Sequence, residues 1–217
     1  GLGITQMVLG ECEKRLTEKV LVEFATGKGF EDPGIFRKYR FGLNSRSEIV
    51  FPTYSPSGEI RDLRRRSHNF KGEWATEGAT LGMFGLENLE QEVEIWCEGA
   101  LDAMASEEMG HPAIASSGAT IAHSEFLELM RGKRILLVFD SDEAGRQGAQ
   151  EKKKQLEGIA QAVEILELPT IPGTKDVRDF LTALGGREAY TQVVEEAKAR
   201  VRQVKVETSV CVMEPQQ

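Results

Sequence analysis

The chain has 217 residues, 40% of them hydrophobic and 29% charged, with 27 Lys and Arg against 35 Asp and Glu and a formal charge of −8. That composition suits a globular protein with ample core for one large domain or two small ones. No apolar run approaches the ~20 residues that span a bilayer, which excludes an integral helical membrane protein. Cys12, Cys97 and Cys211 form no C-x-x-C pair, and His68, His111 and His123 supply no ligand spacing. A zinc site is therefore not expected in this chain, and the compartment reads as reducing, hence cytoplasmic. The start, Gly1-Leu2-Gly3, has neither an initiator Met nor a signal-peptide pattern and reads as a fragment of a longer chain. The acidic excess is uneven. Residues 1–90 carry 13 charges of each sign, whereas residues 91–217 carry 14 basic and 22 acidic ones. A local basic patch matters more than the total for phosphate contact.

In chain order, residues 5–25 read as one amphipathic helix, with Leu16, Val20 and Phe24 recurring at four-residue spacing. Gly27 and Gly29 break it, and residues 30–34 read as a loop. Residues 47–54 and 59–66 flank Ser55-Pro56-Ser57-Gly58 and read as a β-hairpin. The return strand runs into Arg61, Arg64, Arg65, Arg66 and Lys71, opposed only by Asp62. The plain reading is a charged edge strand that discourages pairing. The functional reading is a phosphate-binding surface, for which arginine is a bidentate donor. Residues 80–86 follow, with Phe84 and Leu86 expected in the core, and the boundary between the two parts falls near residues 87–91.

From residue 93 the pattern alternates between strand and helix. Strands are expected at 93–97, 113–115, 135–139 and 162–166, and helices at 100–109, 124–130, 143–156, 176–184 and 188–204. Short strands between helices imply a mostly parallel sheet with right-handed crossovers. Ser124 is a plausible N-cap. The residues through Gln217 read as a frayed tail.

Two of these strands end in acids: Glu94-Ile95-Trp96-Cys97-Glu98-Gly99 and Leu136-Leu137-Val138-Phe139-Asp140-Ser141-Asp142. An open α/β sheet places its chemistry at the carboxyl ends of its strands. Were the two strands neighbours, Glu98, Asp140 and Asp142 would converge, and in an extended chain Asp140 and Asp142 would point the same way. Oxygen-only ligands of this kind suit Mg²⁺ or Mn²⁺. Plainer readings exist. Asp142 or Glu98 could cap the helix that follows, Asp102 could be a surface residue, and Asp176 and Asp179, one turn apart, could be ordinary surface acids.

The strand-Glu98-Gly99-x-x-Asp102 segment and the later Asp140-x-Asp142 with Ala144-Gly145 resemble the Toprim domain. That domain is shared by DnaG-like primases, type IA and II topoisomerases, OLD-family nucleases and recombination proteins. Residues 173–181 (GTKDVRDFL) resemble the acidic segment that closes the Toprim domain of primases. The stretch "IVFPTYSPSGEIRDLRRR" resembles the hairpin that precedes it in the primase polymerase core, and Ser116-Ser117-Gly118-Ala119-Thr120 resembles a primase turn. The resemblance covers about residues 45–185. It implies a Toprim-type, Rossmann-like, mostly parallel sheet flanked by helices (residues 91–186). A small mixed α/β subdomain with a β-hairpin (1–90) precedes the sheet, and a C-terminal helix and tail (187–217) follow it.

For function, the resemblance implies a DNA-directed RNA primase core, polymerising ribonucleotides on single-stranded DNA. Glu98, Asp140 and Asp142 would be catalytic. Glu98, Asp140, Asp142, Asp102, Asp176 and Asp179 would hold Mg²⁺ or Mn²⁺. Arg61, Arg64, Arg65, Arg66, Asn69, Lys71, Ser117 and Gly118 would bind nucleotide or template. A replicative helicase and a zinc-binding domain, in cis or in trans, are the implied partners, in a bacterial or phage-encoded setting. The alternatives are an OLD-like metal-dependent nuclease and a non-catalytic nucleic-acid-binding module.

Overall fold

A threonine divides the helix expected over residues 5–25. In the computed structural model, which describes residues 2–66, 75, 80–116 and 124–204, α1 spans Leu2–Arg15 and α2 spans Glu18–Gly27. Between them Thr17 is extended (φ −67°, ψ 157°) and its hydroxyl accepts the amide of Val20. A side-chain oxygen that satisfies a free helical N–H can start a new helix inside an apolar period. The break redirects the chain so that Leu21, Phe24 and Ala25 bury. Two short elements went unforeseen: α3 (Gly34–Lys38), which buries Ile35 and Phe36, and β1 (Gly42–Leu43).

The hairpin forms as expected from β2 (Ile49–Tyr54) and β3 (Ile60–Arg66). Its turn is closed by Ser55 donating to Glu59 and Gly58 donating to Ser55. With β1 it makes a three-stranded antiparallel sheet in the order β1-β2-β3.

The second sheet is parallel and has four strands: β4 (Glu94–Cys97), β5 (Ala113–Ala115), β6 (Arg134–Val138) and β7 (Ala162–Ile165), in the order β5-β4-β6-β7. The intervening helices are α4 (Ala100–Glu108), α5 (Ser124–Glu128), α6 (Glu143–Leu156) and α7 (Gly186–Gln203). Ser124, read as an N-cap, is itself the first residue of α5. Both faces of the sheet are buried, as its near-continuous apolar strands require. Ile95, Cys97, Leu136 and Val138 face one core; Trp96, Ile135 and Leu137 face another. The first core continues without interruption into the N-terminal lobe through Phe36, Phe41, Phe51 and Phe84.

Residues 83 and 84 stitch the two sheets together. Met83 exchanges both backbone hydrogen bonds with Tyr54 at the end of β2 (2.8 and 2.9 Å). Phe84 exchanges both of its own with Ala115 of β5 (2.9 and 3.0 Å). Among the described residues, no helix is long and apolar enough to cross a membrane.

Candidate active site

The strand order reverses at β4, which pairs with β5 on one side and β6 on the other. Open α/β sheets bind ligands at such a switch point, beyond the carboxyl ends of the strands. The parallel register sets Cys97 beside Val138, so the next residues of each strand are neighbours. Glu98 thus leans over the start of the β6–α6 turn, where its Oε2 accepts the amide of Asp140 at 3.4 Å. The turn itself is fixed by close approach. A Cβ on Gly145 would lie 2.2 Å from the carbonyl oxygen of Asp140, so only glycine permits α6 to start this near.

The acids of this edge divide into two kinds. Asp142 is the N-cap of α6, its Oδ1 accepting the amide of Gly145 at 2.9 Å, while Oδ2 lies 4.0 Å from the Lys175 ammonium. Asp176 and Asp179 form a capping box on the 3₁₀ turn Val177–Leu181, each side chain accepting the other's backbone amide. For Asp142 the capping reading is what the geometry displays; Asp176 and Asp179, read as ordinary surface acids, are caps as well, and Asp176 is buried. Glu98 does not cap α4, whose N-cap is Gly99 with no side-chain cap bond. Asp102 is no surface residue either. It is partly buried, and its Oδ1 accepts the Arg178 amide at 3.3 Å.

Electrostatics separates the same groups. Burial, reinforced by the charges of Glu98 and Asp176, pushes the Asp140 carboxyl up to about 7. Burial, with Asp176 and Asp140, pushes Asp102 up to about 8. Burial also raises Glu98, against the pull of the Asp140 amide and Lys175. Crowded carboxylates with too little positive charge behave this way. Among the described residues, no three Asp, Glu, His or Cys side chains stand close enough together to hold a metal ion. An all-oxygen set carrying surplus negative charge nonetheless fits a divalent ion such as Mg²⁺, which takes one or two carboxylates and keeps several waters. Ser141 joins this turn to the Lys175 segment, its amide and hydroxyl both donating to the Lys175 carbonyl (2.8 and 3.0 Å).

Asp176 and Asp179 also line a cleft of about 450 Å³, together with four cations, Lys28, Arg66, Lys175 and Arg178. Lys28 and Arg66 come from the N-terminal lobe; Lys175 and Arg178 come from the segment after β7. Burial, with the charges of Arg66 and Arg178, lowers the Lys28 ammonium from its ordinary value. Lys28 escaped the sequence reading because no local pattern marks it; Lys175 and Arg178 fall within the GTKDVRDFL segment, where the reading singled out only the acids.

The arginine run is divided. Alternation along β3 sets Arg64 and Arg66 opposite Phe51 and Ile49, on the core side of the sheet, with Arg61 and Arg65 on the other side. Arg61 pairs with Glu125 and lies over the Phe126 ring at 5.4 Å. Arg64 is buried, 3.8 Å from Asp62, and Arg65 is 3.7 Å from Glu48. Of the four, Arg66 lines the basic cleft. The expected solvated edge is therefore corrected at Arg64, which the fold encloses. Asn69, Lys71, Ser117 and Gly118 lie outside the described residues.

Residues 95–181 match the family described as Toprim-like. A DNA primase of Synechocystis is 26% identical over 126 residues, covering 53% of this chain and 20% of the relative. The Aquifex aeolicus primase fragment with zinc-binding and RNA polymerase domains superposes with a TM-score of 0.70 at 16% identity, covering 88% of this chain and 59% of that one. A DnaG primase catalytic domain bound to single-stranded DNA gives 0.68 at 16% identity, covering 88% and 76%. The fold is that of the DnaG-type primase catalytic core: a hairpin-bearing lobe set in front of a Toprim sheet. The chain spans a fifth of the length of the curated relative it matches.

Proposed function

We propose that this chain is the catalytic core of a DNA-directed RNA primase, joining ribonucleotides on a single-stranded DNA template. One observation carries the reading: Glu98 and Asp140 meet at the switch point of the sheet, and a basic cleft shared by both lobes lies beside them. Its functional parts are residues 1–90, which bring Lys28 and Arg66 to the cleft, the Toprim part at 91–186, and the helix and tail at 187–217.

Chain growth requires a 3′-hydroxyl to lose a proton while a pyrophosphate leaves. Glu98, whose burial raises its proton affinity, would accept that proton or serve as a further metal ligand. Lys28, Arg66, Lys175 and Arg178 would hold the triphosphate against charge build-up as the leaving group departs. Asp140, Glu98 and the free oxygen of Asp142 would hold Mg²⁺ or Mn²⁺, with Asp102 and the capped Asp176 and Asp179 in support. Bound there, the ions would stabilise both ends of the in-line displacement. Arg65, Asn69, Lys71, Ser117 and Gly118 remain candidate template contacts, and salt dependence of binding would register them. A zinc-binding domain and a replicative helicase, in cis or in trans, are the expected partners, and a cytoplasmic setting is part of the same reading.

Template-dependent incorporation of labelled ribonucleotides, with Mg²⁺ and with Mn²⁺, is the test. Incorporation lost in Asp140→Asn is the expected result. No incorporation under any template or metal, together with metal-dependent DNA cleavage, would assign the same carboxylates to a nuclease instead. Metal-independent DNA binding with no turnover would leave a binding module.

A further inference from the structure

The two walls of the basic cleft belong to different lobes, and one small polar network fastens both. The N-terminal wall is the 26–29 segment. There Gly29, with φ +88°, comes so near that a Cβ would lie 2.9 Å from Thr182 Cγ2 on the opposite wall. Two residues further on, the amides of Glu31 and Asp32 donate to Oε1 and Oε2 of Glu108, at the end of α4 (2.9 and 3.2 Å). The Glu108 side chain is 7% exposed. Its charge is met by Arg187 of α7 at 2.7 Å, and the same guanidinium donates through Nε to the carbonyl of Leu181, the neighbour of Thr182, at 3.1 Å.

We propose that Glu108 and Arg187 are positioning residues that set the width of the basic cleft and thereby its affinity for a nucleoside triphosphate. The inference rests on the reading of that cleft as the triphosphate site. Glu108 grips one wall through two backbone amides. Arg187 grips the other through a backbone carbonyl, and the two side chains grip each other. A planar fork can serve a carboxylate and a carbonyl at once; a lysine ammonium in that place cannot hold the same geometry. Glu108 and Arg187 touch neither the acidic edge nor the cleft lining, so their effect falls on the separation of the walls. Because α4 is preceded by its N-cap Gly99, beside Glu98, and ends at Glu108, the helix also fixes that separation relative to the carboxylates.

The test compares wild type with Glu108→Gln and Arg187→Lys in the full chain, each checked for an intact unfolding transition. The probe is magnesium ATP. The dissociation constant is expected to rise about tenfold in each variant and not further in the double variant, since the two act as one unit. Turnover at saturating nucleotide should stay within about twofold, because bound nucleotide can still draw the walls together. Turnover lost at unchanged affinity, or affinity within about twofold of wild type in both variants, would overturn the proposal. If wild type binds no magnesium ATP, the triphosphate reading fails. The fastening is then judged by hydrogen exchange. Faster exchange of the amides of residues 26–32 in both variants supports it, and unchanged exchange removes it.

Discussion

Two pairs of acids lie within one edge of the parallel sheet and serve different ends. Asp176 and Asp179 satisfy each other's backbone amides in a capping box, so their charge is absorbed by the start of a 3₁₀ turn. Glu98 and Asp140 share one long hydrogen bond, at 3.4 Å, and the charge of Glu98 helps burial to push the Asp140 carboxyl up. A carboxylate with its lone pairs committed to local amides holds the fold. One that burial and its neighbours keep at odds with its own charge is available for chemistry.

The largest test of that contrast is Glu98→Gln and Asp140→Asn, each expected to cut ribonucleotide incorporation by about 10²–10⁴ with the unfolding transition retained. A loss below about tenfold would place the chemistry elsewhere. Next, Lys28→Ala should raise the KM for ribonucleotide by about tenfold, one charge-assisted contact, with kcat little changed. Steady-state kinetics at fixed template would check it. Asp176→Ala should act mainly on stability, losing about 1 kcal/mol of capping, read as a lower Tm. A fall in activity as deep as that of Asp140→Asn would erase the distinction between the pairs.

Acidity offers a subtler check. Asp140 titrates at about 7 against 3.8 for an ordinary aspartate, so its contribution to stability is fully present below 3.8 and is lost as pH rises through about 7. Calorimetry in metal-free buffer should show Tm falling over that window more steeply in wild type than in Asp140→Asn. Added Mg²⁺ should flatten the wild-type slope. Equal slopes would show that the charge crowding is absent. Smallest of all, Arg61→Ala should cost less than about 1 kcal/mol and leave template affinity unchanged, since its partner Glu125 is half exposed.

The strand ends were legible because a buried parallel strand is a continuous apolar run, and an acid that closes it stands out. Glu98 and Asp140 follow from that signal, the hairpin follows from its Ser55-Pro56-Ser57-Gly58 turn, and α6 has the expected bounds of residues 143–156. The division at Thr17 was not legible, since a capping threonine looks like any polar residue on the wet side of a helix. Nor was the sorting of the arginine run, because a charge count carries no face. Only pairing with Ile49 and Phe51 separates Arg64 and Arg66 from Arg61 and Arg65. Lys28 reaches the cleft by tertiary contact alone, from the end of a helix more than a hundred residues before Lys175.

The short ladder of Met83 and Phe84 has a bearing on how this molecule comes apart. β5 borders the parallel sheet, and Phe84 occupies the hydrogen-bonding row that β5 would otherwise leave bare. A piece beginning after residue 90 would carry that open margin, together with the apolar surface that Phe51 and Phe84 now cover, and should self-associate through it. Denaturation of the whole chain should accordingly run as a single cooperative event rather than lobe by lobe.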